Sequence, residues 1–150
     1  MAGPLVAALL ALLLAGCASQ GDDPMPAACF GLPATFVTAL ERAPAAVRLP
    51  GGTRLSTCVR RARTDSDLQA LGVSLTAAAD TLRARVAVNP AAAAGLGYLV
   101  AAVRAGVAGN QGLAGQLGRR VDGATGLPDG APAAARAALA QGLRAGRSGG

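Results

Sequence analysis

The chain has 150 residues, among them 38 alanines and 21 glycines, and a net charge of +6 with no histidine. That length holds one small domain. The lack of His and Lys excludes histidine triads and Cys–His dyads, histidine metal ligands, Ser–Lys dyads and the lysine of a phosphate-binding P-loop.

The first feature in chain order is an apolar run, Leu5 to Leu14, followed by Leu14-Ala15-Gly16-Cys17. Ten or so apolar residues ending in small ones form a secretory h-region with a processing site, too short for a lasting membrane span. The tetrapeptide Leu-Ala-Gly-Cys resembles the lipobox of bacterial lipoproteins. The resemblance implies that Cys17 takes a diacylglyceryl group, that residues 1–16 are removed, and that 134 residues remain, beginning at the lipidated cysteine. Met1 to Pro4 carry no Arg, so either the terminal amine serves as the charged n-region or translation starts upstream. Residues 17–28, with Gly21, Asp22, Asp23, Pro24 and Pro26, read as a flexible tether that holds no helix and buries little.

Assigning Cys17 to lipid leaves Cys29 and Cys58, an even count. Outside the cytoplasm a disulfide between them is the default, worth about 3–4 kcal/mol for a loop of roughly 30 residues; the rival reading is two buried thiols. Pro33 suits the first turn of a helix that puts Phe36, Val37, Leu40 and Ala43 on one face and stops at Pro44. Pro50-Gly51-Gly52 marks a turn, and Ser56 caps a short helix bearing Cys58, Val59, Arg60 and Arg61.

Thr64 or Asp65 caps the clearest helix, with Asp65 and Asp67 at its positive N-terminal end. Leu68, Leu71, Leu75, Ala78, Leu82 and Val86 recur at spacings of three and four, an amphipathic stripe of about five turns. Asn89-Pro90 separates it from a second long helix, Ala91 to Val107, which is apolar throughout except at Arg104 and is expected to be the most buried element. Gly106, Gly109, Gly112, Gly115 and Gly118 then recur every third residue. Leu113, Leu117 and Val121 still predict a helix from about Asn110, the least stable of the set because each interior glycine costs about 0.8–1 kcal/mol relative to alanine. Pro132 to about Ala145 reads as a last helix with Leu139 and Leu143 inward, and residues 147–150 are expected to fray. The fold class is all-α: a compact bundle of about five helices over residues 29–146, with a core thin in large side chains that a disulfide would compensate.

The residues call for no cofactor and no metal, and no catalytic residue is assigned. Asp65 and Asp67 read as helix-start residues, and Asp80 and Asp122 are the other carboxylates a pair would draw on. Cys29 and Cys58 lack the CxxC spacing of a redox pair. Gly95-Leu96-Gly97-Tyr98 reads as close helix packing, and Tyr98 as a core residue with its hydroxyl at the edge. Arg60, Arg61 and Arg63 are the densest charge cluster, with Arg48 and Arg54 near in sequence. They read either as a solvated surface or as a contact for anionic lipid, an acidic envelope polymer or a protein partner. Nucleic acid is not an expected partner, because Phe30, Phe36 and Tyr98 supply no stacking platform and an export signal leads out of the cytoplasm.

Lys and Ile are absent, which a GC-rich genome explains and which accounts for arginine carrying every positive side-chain charge. The body, with Leu49-Pro50-Gly51-Gly52-Thr53 and Cys58, resembles small lipoproteins of GC-rich actinobacteria that carry no assigned activity. The expectation is an extracytoplasmic protein anchored to the cell membrane by lipid on Cys17, its helical domain an interaction or structural module. The alternative is a binder of a small apolar ligand between loosely packed helices near the glycine-rich segment, which an enclosed pocket lined by Leu and Val near Tyr98 would favour; an enzyme is disfavoured by the residue inventory.

Overall fold

The computed structural model describes residues 23–108 and 112–150. They form six α-helices: α1 Pro33–Leu40, α2 Leu55–Arg61, α3 Asp65–Arg85, α4 Ala92–Val107, α5 Leu113–Ala124 and α6 Ala133–Gly149. Short 3-10 turns occupy Ala27–Phe30 and Pro50–Gly52. No strand occurs among the described residues. The described residues therefore hold six helices where about five were expected.

Local signals set two of the helix starts, whereas α2 begins at Leu55 with no side-chain cap, so Ser56 lies inside it and does not cap it. Pro33 opens α1, where its missing N–H is one that no helix could satisfy. Thr64 caps α3: its Oγ1 accepts from the Asp67 N–H at 3.1 Å, and the Thr64 N–H donates to Asp67 Oδ2 at 3.3 Å. This reciprocal box satisfies two donors that a helix start leaves open. Pro50-Gly51-Gly52 turns through positive φ at Gly51 and Gly52, which only glycine adopts at no steric cost.

The periodic stripe of α3 faces inward as expected. Leu71, Leu75, Ala78, Leu82 and Val86 are buried, while Leu68 at the first turn is partly so. The central element is α4, buried without a break from Ala92 to Val103. It touches the other five helices, and its largest interface is with α6. Each fully buried leucine, such as Leu96 and Leu99, contributes roughly 1.5–3 kcal/mol.

The α4–α6 interface is a seam of glycines. A Cβ at Gly142 would strike the Ala94 carbonyl and lie 2.9 Å from the Tyr98 backbone nitrogen; one at Gly146 would lie 2.5 Å from the Tyr98 carbonyl oxygen. The helices meet backbone to backbone, as small residues at i and i+4 permit. Leu139 and Leu143 flank this seam and pack partly buried against the core, while Ala135, Gly142 and Gly146 are the buried residues of α6.

Both ends of the domain differ from expectation. Residues up to 28 read as tether, yet Met25 is buried and Ala27–Phe30 is a helical turn. An apolar thioether next to a disulfide-anchored turn finds core surface to cover, whatever the prolines around it. At the other end α6 runs to Gly149 with no frayed tail: Arg48 Nη1 donates to the Gly149 carbonyl at 2.8 Å, and the Gly150 N–H donates to Gly146 O at 3.0 Å. A capped, packed last turn does not fray.

Candidate functional site

Cys29 and Cys58 are joined by a disulfide with Cα atoms 5.4 Å apart. Both cysteines are buried. The bond fixes the turn Ala27–Phe30 against α2, so the start of the domain and the arginines that end α2 share one neighbourhood. Arg60 and Arg61 occupy the last turn of α2, where the carbonyl end of the helix favours cations.

The three arginines of the predicted cluster are used differently. Arg61 donates through Nη2 to Asp23 Oδ2 at 3.0 Å, an ion pair with Asp23 largely exposed. Arg60 turns back along its own helix, donating to Ser56 Oγ at 3.2 Å and Thr57 Oγ1 at 3.1 Å. These hydroxyls orient the guanidinium and leave its charge uncompensated. Arg63 is exposed just beyond α2. Among the described residues, no carboxylate lies within 4 Å of Arg60 or Arg63.

Arg48 does not join them. Its Nη1 donates to the carbonyl of its neighbour Val47 and to that of Gly149, 101 positions along the chain. It ties the loop after α1 to the end of α6 and is half-buried there. Arg54, at the cap of α2, is exposed. Asp23, which reading the tether as featureless had missed, is the acid that the cluster holds. Phe30 and Leu32 were also missed: both are exposed beside the disulfide, while Phe36 and Tyr98 are fully buried.

Three more of the described carboxylates pair with arginines. Asp80 lies 3.9 Å from Arg83, Asp122 lies 3.0 Å from Arg104, and Glu41 pairs with Arg85. Asp65 and Asp67 sit in the first turn of α3, and hydrogen bonds from Thr64, through its side chain and then its backbone N–H, hold the Asp67 carboxyl below the usual aspartate range. Among the described residues no three His, Cys, Asp or Glu side chains gather in metal-binding reach.

Three clefts open on the surface. One lies between α3 and α5 and is lined by Leu68, Gln69, Gln116, Leu117 and Arg120. Another lies between α1 and the following loop, lined by Thr35, Thr38, Arg42 and Arg48. The third lies between α4 and α6, at Ala101, Arg104, Leu143 and Arg147. Tyr98 lines none of them. Its hydroxyl was expected at the edge; it is instead buried beside Gly149, without a hydrogen-bond partner among the described residues. The glycine seam brings α6 over the ring and closes the edge.

No protein-family profile, curated protein or solved structure matches the chain. No helix among the described residues is long and apolar enough to cross a membrane. Cys17 lies outside the described residues.

Proposed function

We propose that this is a lipid-anchored cell-envelope protein, held at the membrane through Cys17, whose helical domain is an interaction or structural module and not an enzyme. The observation that carries the reading is where the chain enters the domain. Asp23, six residues after Cys17, is bonded to Arg61, inside the arginine cluster that ends α2. Six extended residues span at most about 20 Å. An anchor at Cys17 therefore holds this basic face near the bilayer surface, and Arg60 and Arg63 offer it charge that no carboxylate among the described residues neutralises.

The closed interior supports a module over a carrier of apolar ligands. Around Tyr98, where an enclosed pocket would have favoured a carrier, α6 fills the space. Diacylglyceryl supplies two chains, enough for stable anchoring where one is marginal. Cys17→Ser is expected to release the protein from the membrane fraction of the producing cell. A variant that stays firmly in that fraction would mean that Leu5 to Leu14 is itself the anchor, and the lipoprotein reading would be wrong.

A further inference from the structure

We infer that Phe30 and Leu32 together with Arg60 and Arg63 form a docking face for an anionic lipid headgroup layer. The two apolar side chains enter the layer, and the two guanidiniums bind its phosphates. The inference rests on the anchoring proposed above and names the partner of the same face.

Exposure is the first ground. Phe30 is 56% and Leu32 75% exposed, whereas Phe36 is 0% and Tyr98 1%. A chain with three aromatic residues keeps one of them outside. The other exposed large apolar side chains, Val73 and Val88, lie 15 positions apart on and after α3, whereas Phe30 and Leu32 flank one glycine and form a pair, which marks an interaction site more than scattered surface residues do.

Rigidity and proximity are the second ground. Ser74 Oγ donates to the Gly31 carbonyl at 3.2 Å, and Cys29 is bonded to Cys58, so the segment bearing Phe30 and Leu32 is held at both sides. Its side chains are presented without the ordering cost of a free loop. Phe30 follows Cys29, and Arg60 lies two residues past Cys58. With the cysteine Cα atoms 5.4 Å apart, the Cα atoms of Phe30 and Arg60 lie within about 15 Å of each other.

The nature of the partner follows from the pairing of chemistries. An anionic envelope polymer satisfies arginines but offers no apolar medium for Phe30 and Leu32; a headgroup layer supplies both phosphates and acyl-chain boundary. Arginine matches phosphate through its planar fork of donors. The Asp23–Arg61 bond places the face within a short chain's reach of Cys17. A basic side chain at an anionic surface changes occupancy by about fivefold.

The chain contains no tryptophan, so Phe30→Trp adds a single reporter at an exposed position. The mature lipoprotein carrying it is reconstituted in vesicles of phosphatidylglycerol and phosphatidylcholine, with and without brominated acyl chains, and its flotation and indole emission are measured. The expected result is full flotation, a blue-shifted indole and strong quenching by the brominated chains. Arg60→Glu with Arg63→Glu should lower the docked-to-undocked ratio about 25-fold or more, reversing the shift while flotation persists. Protein that floats with an unshifted, unquenched indole overturns the docking face and leaves the anchor standing. Protein that does not float overturns both. Quenching unchanged by the double charge reversal overturns the role given to the arginines.

Discussion

Replacing Gly142 by alanine puts one methyl group into the α4–α6 seam. On an isolated helix the change favours folding by about 0.8–1 kcal/mol. Here the new Cβ would collide with the Ala94 carbonyl oxygen, and would lie 2.8 Å from its carbon and 2.9 Å from the Tyr98 nitrogen. All three are backbone atoms in the middle of the most buried helix, so no rotamer change relieves the contact. Ordinary separation between such atoms is about 3.5–4.0 Å, so the collision with the Ala94 oxygen forces α6 to recede by about 1.5 Å, and a gap of that size forfeits about half or more of the dispersion attraction along the seam. Overpacking costs about 1–3 kcal/mol, here at the upper end. After the propensity gain, Gly142→Ala is expected to destabilise by about 2 kcal/mol. Gly123, on the exposed side of α5, has nothing within 4 Å of where its Cβ would be. Gly123→Ala is therefore expected to stabilise by about 0.8–1 kcal/mol. Urea unfolding followed by far-UV circular dichroism compares the two, which should differ by about 3 kcal/mol in opposite directions. If Gly142→Ala were as stable as Gly123→Ala, the backbone-to-backbone seam would be refuted.

Four other outcomes follow from the same structure. Changing Cys29 and Cys58 together to serine should lower stability by about 3–4 kcal/mol in urea unfolding, because a loop of roughly 30 residues loses its cross-link in the unfolded chain; thiol titration of the unfolded, unreduced protein should count neither residue as free. Thr64→Ala should cost about 1 kcal/mol by removing the cap of α3. The folded-state pKa of Asp67 is depressed, so its stabilising contribution is present above the unfolded aspartate value and is lost as pH falls through the folded one; the advantage of the parent protein over Asp67→Asn, compared at neutral and acid pH, should therefore shrink on the acid side. Tyr98→Phe removes a buried hydroxyl that has no partner among the described residues, and thermal unfolding should show stability unchanged or raised by up to about 1 kcal/mol; a loss of 2 kcal/mol would mean that the hydroxyl is bonded.

Sequence by itself determined the all-helical class, the ends of most helices, the Thr64 cap, the Pro-Gly-Gly turn, the inward stripe of α3 and the burial of α4. Each depends on residues within one or two turns of one another: a cap and its acceptor three residues apart, apolar positions repeating with the helical period, a turn that needs glycine. The pairing of Cys29 with Cys58 was legible for a different reason, since setting Cys17 aside leaves no other partner. Tertiary structure decided what those signals cannot reach. Leu139 and Leu143 had the spacing of a core stripe, yet Gly142 and Gly146 occupy the contact, because backbone approach depends on what the facing helix presents. Arg48 had the look of a patch residue, yet it holds Gly149, 101 positions away. Arg61 finds Asp23 across 38 positions. Phe30 has the composition of a core residue, and only the way the disulfide and Ser74 hold its segment against the bundle leaves it outside. Helix formation is a local competition between backbone and side chain, readable along the chain; exposure and charge pairing depend on which surfaces the packed helices leave free.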